Sequence, residues 1–143
     1  ISVPRSADGP LDDADYERLL AFRDGLRRFL HWSEQQARAA GLSPAQHQLL
    51  LAIRGDRTPG GPTIGDVAAH LLLKHHSTVE LVDRAVAADL VERRVDAHDQ
   101  RIVRLALTRL GARRLRDRAT QHLAELDRLS PRLAPLWAGL PED

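Results

Sequence analysis

Between His75 and Ala88 a helical wheel separates two arcs, one carrying His75, Thr78, Val79, Leu81, Val82, Ala85 and Val86, the other His76, Ser77, Glu80, Asp83, Arg84 and Ala87. Short polar side chains near the start of a helix suit hydrogen bonding to base edges in a DNA major groove. His75, His76, Ser77, Thr78, Glu80 and Arg84 are therefore candidate nucleic-acid contacts. Glu80 and Asp83 stand against this, because a carboxylate beside phosphates is repelled unless it accepts from a cytosine amino group or pairs with a neighbour. For Glu80 the neighbour would be Arg84, an i,i+4 partner. For His76 and Ser77 the alternative is a solvated first turn.

A second candidate group lies downstream, where Arg93, Arg94, His98 and Arg101 surround the polar run Asp96-Ala97-His98-Asp99-Gln100. Arginine on a projecting ribbon can enter a narrow minor groove or clamp phosphate, and Arg101 is the strongest single candidate. The other reading is a solvated hairpin face.

The elements around these groups follow from their patterns. Thr63 and Asp66 have the spacing of a capping box after Pro62, and Ile64, Val67, Ala68 and Leu71 make one apolar stripe. Leu72, Leu73 and Lys74 fit a tight turn before the second helix. Leu90 to Val95 and Arg101 to Leu107 are the expected strands, with Val103, Leu105 and Leu107 alternating with Arg104 and Ala106. Two helices, a turn and a two-stranded ribbon predict a winged helix-turn-helix: a mainly α fold with a small β-wing.

With those residues in place, the run HHSTVELVDRAVAADLVERRVDAHDQRIVRLALT resembles the recognition helix and wing of the MarR-type transcriptional regulators, and the resemblance covers nearly everything from about Asp12 onward. That family commonly shows D-x-R-D-x-R in the wing. Here Asp96-Ala97-His98-Asp99-Gln100-Arg101 keeps the second arginine as Arg101, with Asp99 placed to orient it, and replaces the first by His98. Asp89 stands where the family has glycine, at a position that calls for a left-handed cap.

At 143 residues the chain is long enough for one domain with a real core. It lacks cysteine, which excludes disulfides, thiolate metal sites and thiol-based oxidant sensing. No apolar run is long enough to span a bilayer and no signal-peptide pattern is present, so a soluble, cytoplasmic protein is expected. Ile1 in place of an initiator methionine is what a trimmed sequence would show. The net charge is only +1, but Lys74 to Arg118 holds eleven Lys and Arg against seven Asp and Glu, while both flanks are slightly acidic. Positive charge is thus concentrated on the candidate DNA-facing segment.

The flanks predict how the module is used. Residues 1–10 are polar and broken by prolines, as a disordered segment is. From Asp12 to about Ala40, Tyr16, Leu19, Phe22, Leu26, Phe29 and Leu30 mark a helix that Gly41 caps. Ser43-Pro44 opens another, bearing Leu49, Leu50 and Ile53. Thr108 caps a long helix with a seam of Leu115, Ala119, Leu123, Leu126 and Leu129; Ser130-Pro131 is expected to break it and begin a short helix carrying Leu133, Leu136, Trp137 and Leu140. Residues 11–143 are expected to form one domain, with 11–42 and 108–143 as dimerisation helices and 44–107 as the DNA-binding region. A homodimer would set two recognition helices on successive major grooves of a palindromic operator. A monomer packing this surface internally is the other arrangement.

The resemblance further implies a small anionic or phenolic effector bound between the dimerising helices and the winged helix. His31, Trp32, His47, Arg113 and Arg114 are the candidates to line that cleft, since aromatic rings plus a cation suit a carboxylate or phenolate. The seven histidines do not have metal-ligand spacing: Asp66 and His70 lie one turn apart, but two ligands do not close a tetrahedral site. No metal or cofactor is expected. Nor is catalysis, because no Gly-rich phosphate loop, G-x-S-x-G elbow or H-E-x-x-H helix is present. The expectation is a homodimeric, ligand-responsive DNA-binding regulator, more a repressor than an activator. The alternative is a winged helix serving as a protein assembly module.

Overall fold

The computed structural model describes residues 9–137, and most of the segment expected to be disordered lies outside them. The element order is α1 (Asp13–Ala39), α2 (Pro44–Gly55), α3 (Ile64–Leu71), α4 (His75–Ala87), β1 (Val91–Val95), β2 (Val103–Leu107) and α5 (Arg109–Trp137). Two compact units divide the chain, the first ending at Ser33 and the second beginning at Glu34.

In the first unit, Asp12 and Asp15 exchange hydrogen bonds between each backbone amide and the other's carboxylate, at 2.9 and 3.0 Å, which starts α1. Tyr16, Leu19, Leu20 and Leu30 are left exposed. Phe29 and Trp32 hold their rings 6.0 Å apart.

The second unit contains the core, built on Leu49, Leu50, Val67, Val82, Val91 and Leu105. Its helices begin where the sequence has caps. Ser43 accepts from the Gln46 amide and Gln46 returns the bond, with Pro44 fixing the first turn of α2. Thr63 and Asp66 do the same for α3. At Gly41, φ is +77°, and the amides of Gly41 and Leu42 return to Arg38 and Ala37 to close the end of α1.

Between α3 and α4 the chain turns at Leu72, in left-handed conformation at φ 53°. The end of α4 is similar, with Asp89 at φ 60° in the position the resemblance assigned to a left-handed cap. Of the apolar arc expected on α4, Thr78, Leu81, Val82 and Ala85 are buried, whereas His75 and Val86 are exposed at its two ends.

β1 and β2 pair antiparallel, with Val91 opposite Leu107 and Val95 opposite Val103. Each strand is shorter than the sequence pattern suggested. Leu90 belongs to the end of α4, its amide bonded to the Ala85 carbonyl. Arg101 and Ile102 belong to the tip, because Asp96 and Asp99 draw the amides of His98, Asp99 and Arg101 onto their carboxylates and away from a ladder. The Leu105 amide donates to the Pro62 carbonyl at 2.8 Å, tying the α2–α3 loop along β2.

Thr108 caps α5 through its hydroxyl, which accepts from the Gly111 amide at 3.0 Å. The expected break at Ser130-Pro131 does not occur, and α5 runs unbroken to Trp137. Proline inside a helix removes one amide bond and bends the path, which a long, already formed helix can survive. Leu140, expected on the final short helix, lies outside the described residues.

Candidate nucleic-acid interface

The two candidate groups converge on one part of the second unit, where α4 is followed directly by the wing. His75, His76, Glu80 and Arg84 are exposed and Ser77 is half-buried. Thr78 is the correction: it is fully buried, and its hydroxyl donates to the Lys74 carbonyl at 3.0 Å. Lys74 offers no side-chain cap, so Thr78 steadies the first turn from inside instead of reaching outward.

The acidic residues of α4 differ in their surroundings. Asp83 accepts from the Arg93 guanidinium, which crosses from β1, so helix and wing are joined by an ion pair. Glu80 has no such partner among the described residues, and the i,i+4 pair with Arg84 expected as an alternative is not formed. Arg94 is exposed and pairs with Glu92 on its own strand.

At the wing tip Asp99 organises Arg101. The backbone amide and Nε of Arg101 both donate to Asp99 Oδ1 at 3.0 Å, and Nη2 donates to Oδ2 at 2.8 Å. The Arg101 hydrogen bonds hold the Asp99 carboxyl below its usual range, and the same contact raises the hold of Arg101 on its proton. Yet the Arg101 side chain is 90% exposed, a cation oriented at its root and open at its edge. His98 is exposed too, its amide donating to Asp96 Oδ2 at 2.9 Å.

The residue holding the wing in place was not among the candidates. Arg104 donates from Nε to Asp96 Oδ1 at 2.8 Å and from Nη1 to the Gly61 carbonyl at 3.1 Å. Bonds from Arg104 and from the His98 and Asp99 amides lower the Asp96 carboxyl to about 2. An arginine alternating with Val103 and Leu105 was the available signal, since a charge among aliphatic strand residues asks for a partner.

Asp66 and His70, weighed as a metal pair, take separate partners. Asp66 serves its cap, while His70 Nε2 lies 2.9 Å from Asp56 Oδ2. Bonds from Thr58 and His70 bring the Asp56 carboxyl to about 2. Among the described residues no group of three His, Asp or Glu is placed to hold a metal ion.

The candidate effector residues do not form one group within the second unit. His47 is buried and stacks on His122 with centroids 5.0 Å apart. Arg114 donates to the Ala40 carbonyl at 3.1 Å, finishing α1, and Arg113 is exposed. In the first unit His31 is exposed and Trp32 half-buried. A cavity of about 270 Å³ opens elsewhere, lined by Leu107, Ala112, Leu115, Ala119, Arg54 and Arg116. Ala112 and Ala119, two turns apart on α5, were its sequence signal. Among the described residues no helix is long and apolar enough to cross a membrane.

Known proteins share the fold that carries these residues. Residues 40–102 match the model of the MarR family. The structure of AbsC from Streptomyces coelicolor, a MarR family transcriptional regulator, superposes with a TM-score of 0.72 at 20% identity, covering 91% of this chain and 96% of that one. The M. tuberculosis transcriptional regulator MosR, solved in complex with DNA, gives 0.59 at 19% identity over 84% of this chain and 90% of its own. CouR from Rhodococcus jostii RHA1, solved with p-coumaroyl-CoA, gives 0.61 at 25% identity over 91% and 82%. No curated protein sequence matches the chain. Residues 40–102, the winged helix-turn-helix, thus match the MarR family model, within a fold that solved MarR family regulators share over most of this chain.

Proposed function

We propose that the protein is a homodimeric, ligand-responsive transcriptional regulator, a repressor, that binds palindromic operator DNA. The observation that carries this is the pairing of an exposed polar face on α4 with an open, carboxylate-oriented Arg101 on the adjoining wing. A helix face of that kind fits the major groove, and a projecting arginine fits the flanking backbone or minor groove. His75, His76, Ser77, Glu80 and Arg84 are the groove contacts, with Arg94, His98 and Arg101 on the wing. Thr78 acts by holding the helix start.

The dimer uses α1 and α5. Leu19, Leu20 and Leu30 on α1 and Leu123 and Leu126 on α5 are exposed apolar side chains that a second copy would cover. Twofold symmetry would then set the two α4 helices roughly 34 Å apart, on successive major grooves. A small anionic or phenolic effector would shift the spacing of the two heads by binding one spacing better than the other. The cavity lined by Leu107, Ala112, Leu115 and Ala119 together with Arg54 and Arg116 supports this, offering apolar side chains for a ring and two cations for an acid group. The structures of MosR with DNA and CouR with p-coumaroyl-CoA show both kinds of partner in proteins of this fold.

Binding of the purified protein to random-sequence and selected palindromic duplexes, measured over a salt series alongside sedimentation, tests the reading. Steep salt dependence, preference for the palindrome and a dimer are expected. A monomer indifferent to every duplex at low salt would overturn it and leave the assembly module as the function.

A further inference from the structure

We infer that Glu80 is a specificity-determining residue that selects a cytosine in each operator half-site, an inference that rests on the DNA-reading role proposed above. The buried stripe of α4 is Thr78, Leu81, Val82 and Ala85. At about 100° per residue, the direction opposite that stripe falls between His76 and Ala87, and Glu80 lies about 30° from it, with His76 on one side and Arg84 on the other. Glu80 therefore sits on the face that would enter the groove, between the exposed His76 and Arg84.

Of the two carboxylates on α4, its charge is the one left unanswered. Arg93 reaches from β1 to neutralise Asp83, and Glu92 faces Arg94. Among the described residues Glu80 has neither a hydrogen bond nor an ion pair, although Arg84 stands one turn away. A bare carboxylate on a surface that meets phosphates weakens binding to every sequence unless something in the groove donates to it.

The major groove offers two such donors, the N4 amino group of cytosine and the N6 amino group of adenine. Adenine sets its N7 acceptor beside the amino group, and an ionised carboxylate has acceptors only, so the two repel. Cytosine has a carbon-bound hydrogen at the neighbouring position and presents no acceptor there. Guanine offers N7 and O6, and thymine O4 and a methyl group, neither of which donates. Glu80 thus accepts from cytosine and penalises the other three bases, discriminating largely by exclusion.

The test is selection of bound fragments from a random-sequence duplex library by the full chain, in the wild-type form and as Glu80→Gln and Glu80→Ala. Glu80 is exposed and supports no contact, so both variants keep the fold. The wild type is expected to recover a symmetric motif with one C·G position per half-site whose replacement weakens binding about tenfold. Glu80→Gln is expected to move that position alone toward adenine, whose N6 and N7 suit an amide, and Glu80→Ala to lose preference there. An unchanged motif in Glu80→Gln would overturn base reading by this residue while leaving DNA binding intact. Uniform tightening on all sequences in Glu80→Ala would reduce Glu80 to plain repulsion and overturn it equally. A wild type that enriches no motif would overturn the DNA-reading role itself, and this inference with it.

Discussion

Arg104 and Asp96 meet at 2.8 Å with side chains only 16% and 13% exposed, and the same guanidinium bonds the Gly61 carbonyl of the α2–α3 loop. The wing is thereby fastened at its base, while its tip is left to Asp99 and Arg101. Arg104→Gln should shorten the reach, leave Asp96 without its charge partner and loosen the hairpin. Expected are a melting temperature lower by a few degrees and faster amide exchange in β2, with α5 unchanged.

Asp96 and Asp56 give this anchoring a pH dependence of known sign. Both carboxyls are lowered from 3.8 to about 2, so their contribution to stability is complete above the unfolded value and is lost as pH falls toward the folded one. Urea midpoints should therefore fall between about pH 4 and pH 2. Asp96→Asn should flatten part of that fall, and a profile identical to the wild type would remove Asp96 as a source of it.

Arg101 acts at the other end of the wing. Because Asp99 fixes the guanidinium root and leaves the edge open, Arg101→Ala should remove one phosphate contact and flatten the salt slope of DNA binding by about one unit. Asp99→Ala should weaken binding less, since the cation remains but loses its orientation. Equal slopes for wild type and Arg101→Ala would move this side chain off the DNA.

Much of this was legible in the chain because local chemistry decides it. Ser43 with Gln46 and Thr63 with Asp66 cap helices by contacts three residues apart, and the alternation around Leu105 fixes a buried strand face. The wing's boundaries were not, because Asp96 and Asp99 compete for amides that alternation assigns to a ladder. The burial of Thr78 was legible in the wheel, which puts it on the apolar arc with Leu81, Val82 and Ala85, and only its polar type had argued for the surface. The pairs Arg104 with Gly61 and Asp83 with Arg93 join residues 43 and 10 positions apart, and periodicity carries no information about such distances. Pro131 showed the reverse error, a strong local signal overridden by a long helix.

His47 supplies a second pH dependence, near neutrality. Burial, and then the neighbouring His122, lower its pKa from 6.5, so the unfolded chain takes up a proton more readily than the folded one. Stability should decline as pH falls from about 7 toward 5, well above the range of Asp56 and Asp96. His47→Gln should remove that part of the decline, as urea midpoints at pH 7.5 and 5.5 would record. A decline of undiminished size would place its origin in another group.

Two backbone positions should respond to substitution with opposite signs. Leu72 holds φ 53° with its side chain 92% exposed, so it takes the strain of a left-handed conformation without packing in return. Leu72→Gly should stabilise the protein by about 1 kcal/mol. At Gly111 a Cβ would lie 2.0 Å from the Leu90 carbonyl oxygen, because the start of α5 is held against the end of α4 by Thr108, which bonds both Leu90 and Asp89. Gly111→Ala must push these elements apart and should destabilise by about 1–3 kcal/mol despite the higher helix propensity of alanine. Thermal and urea unfolding of the two variants would decide both, and a Gly111→Ala protein as stable as the wild type would show that the α4–wing–α5 junction is looser than its hydrogen bonds imply.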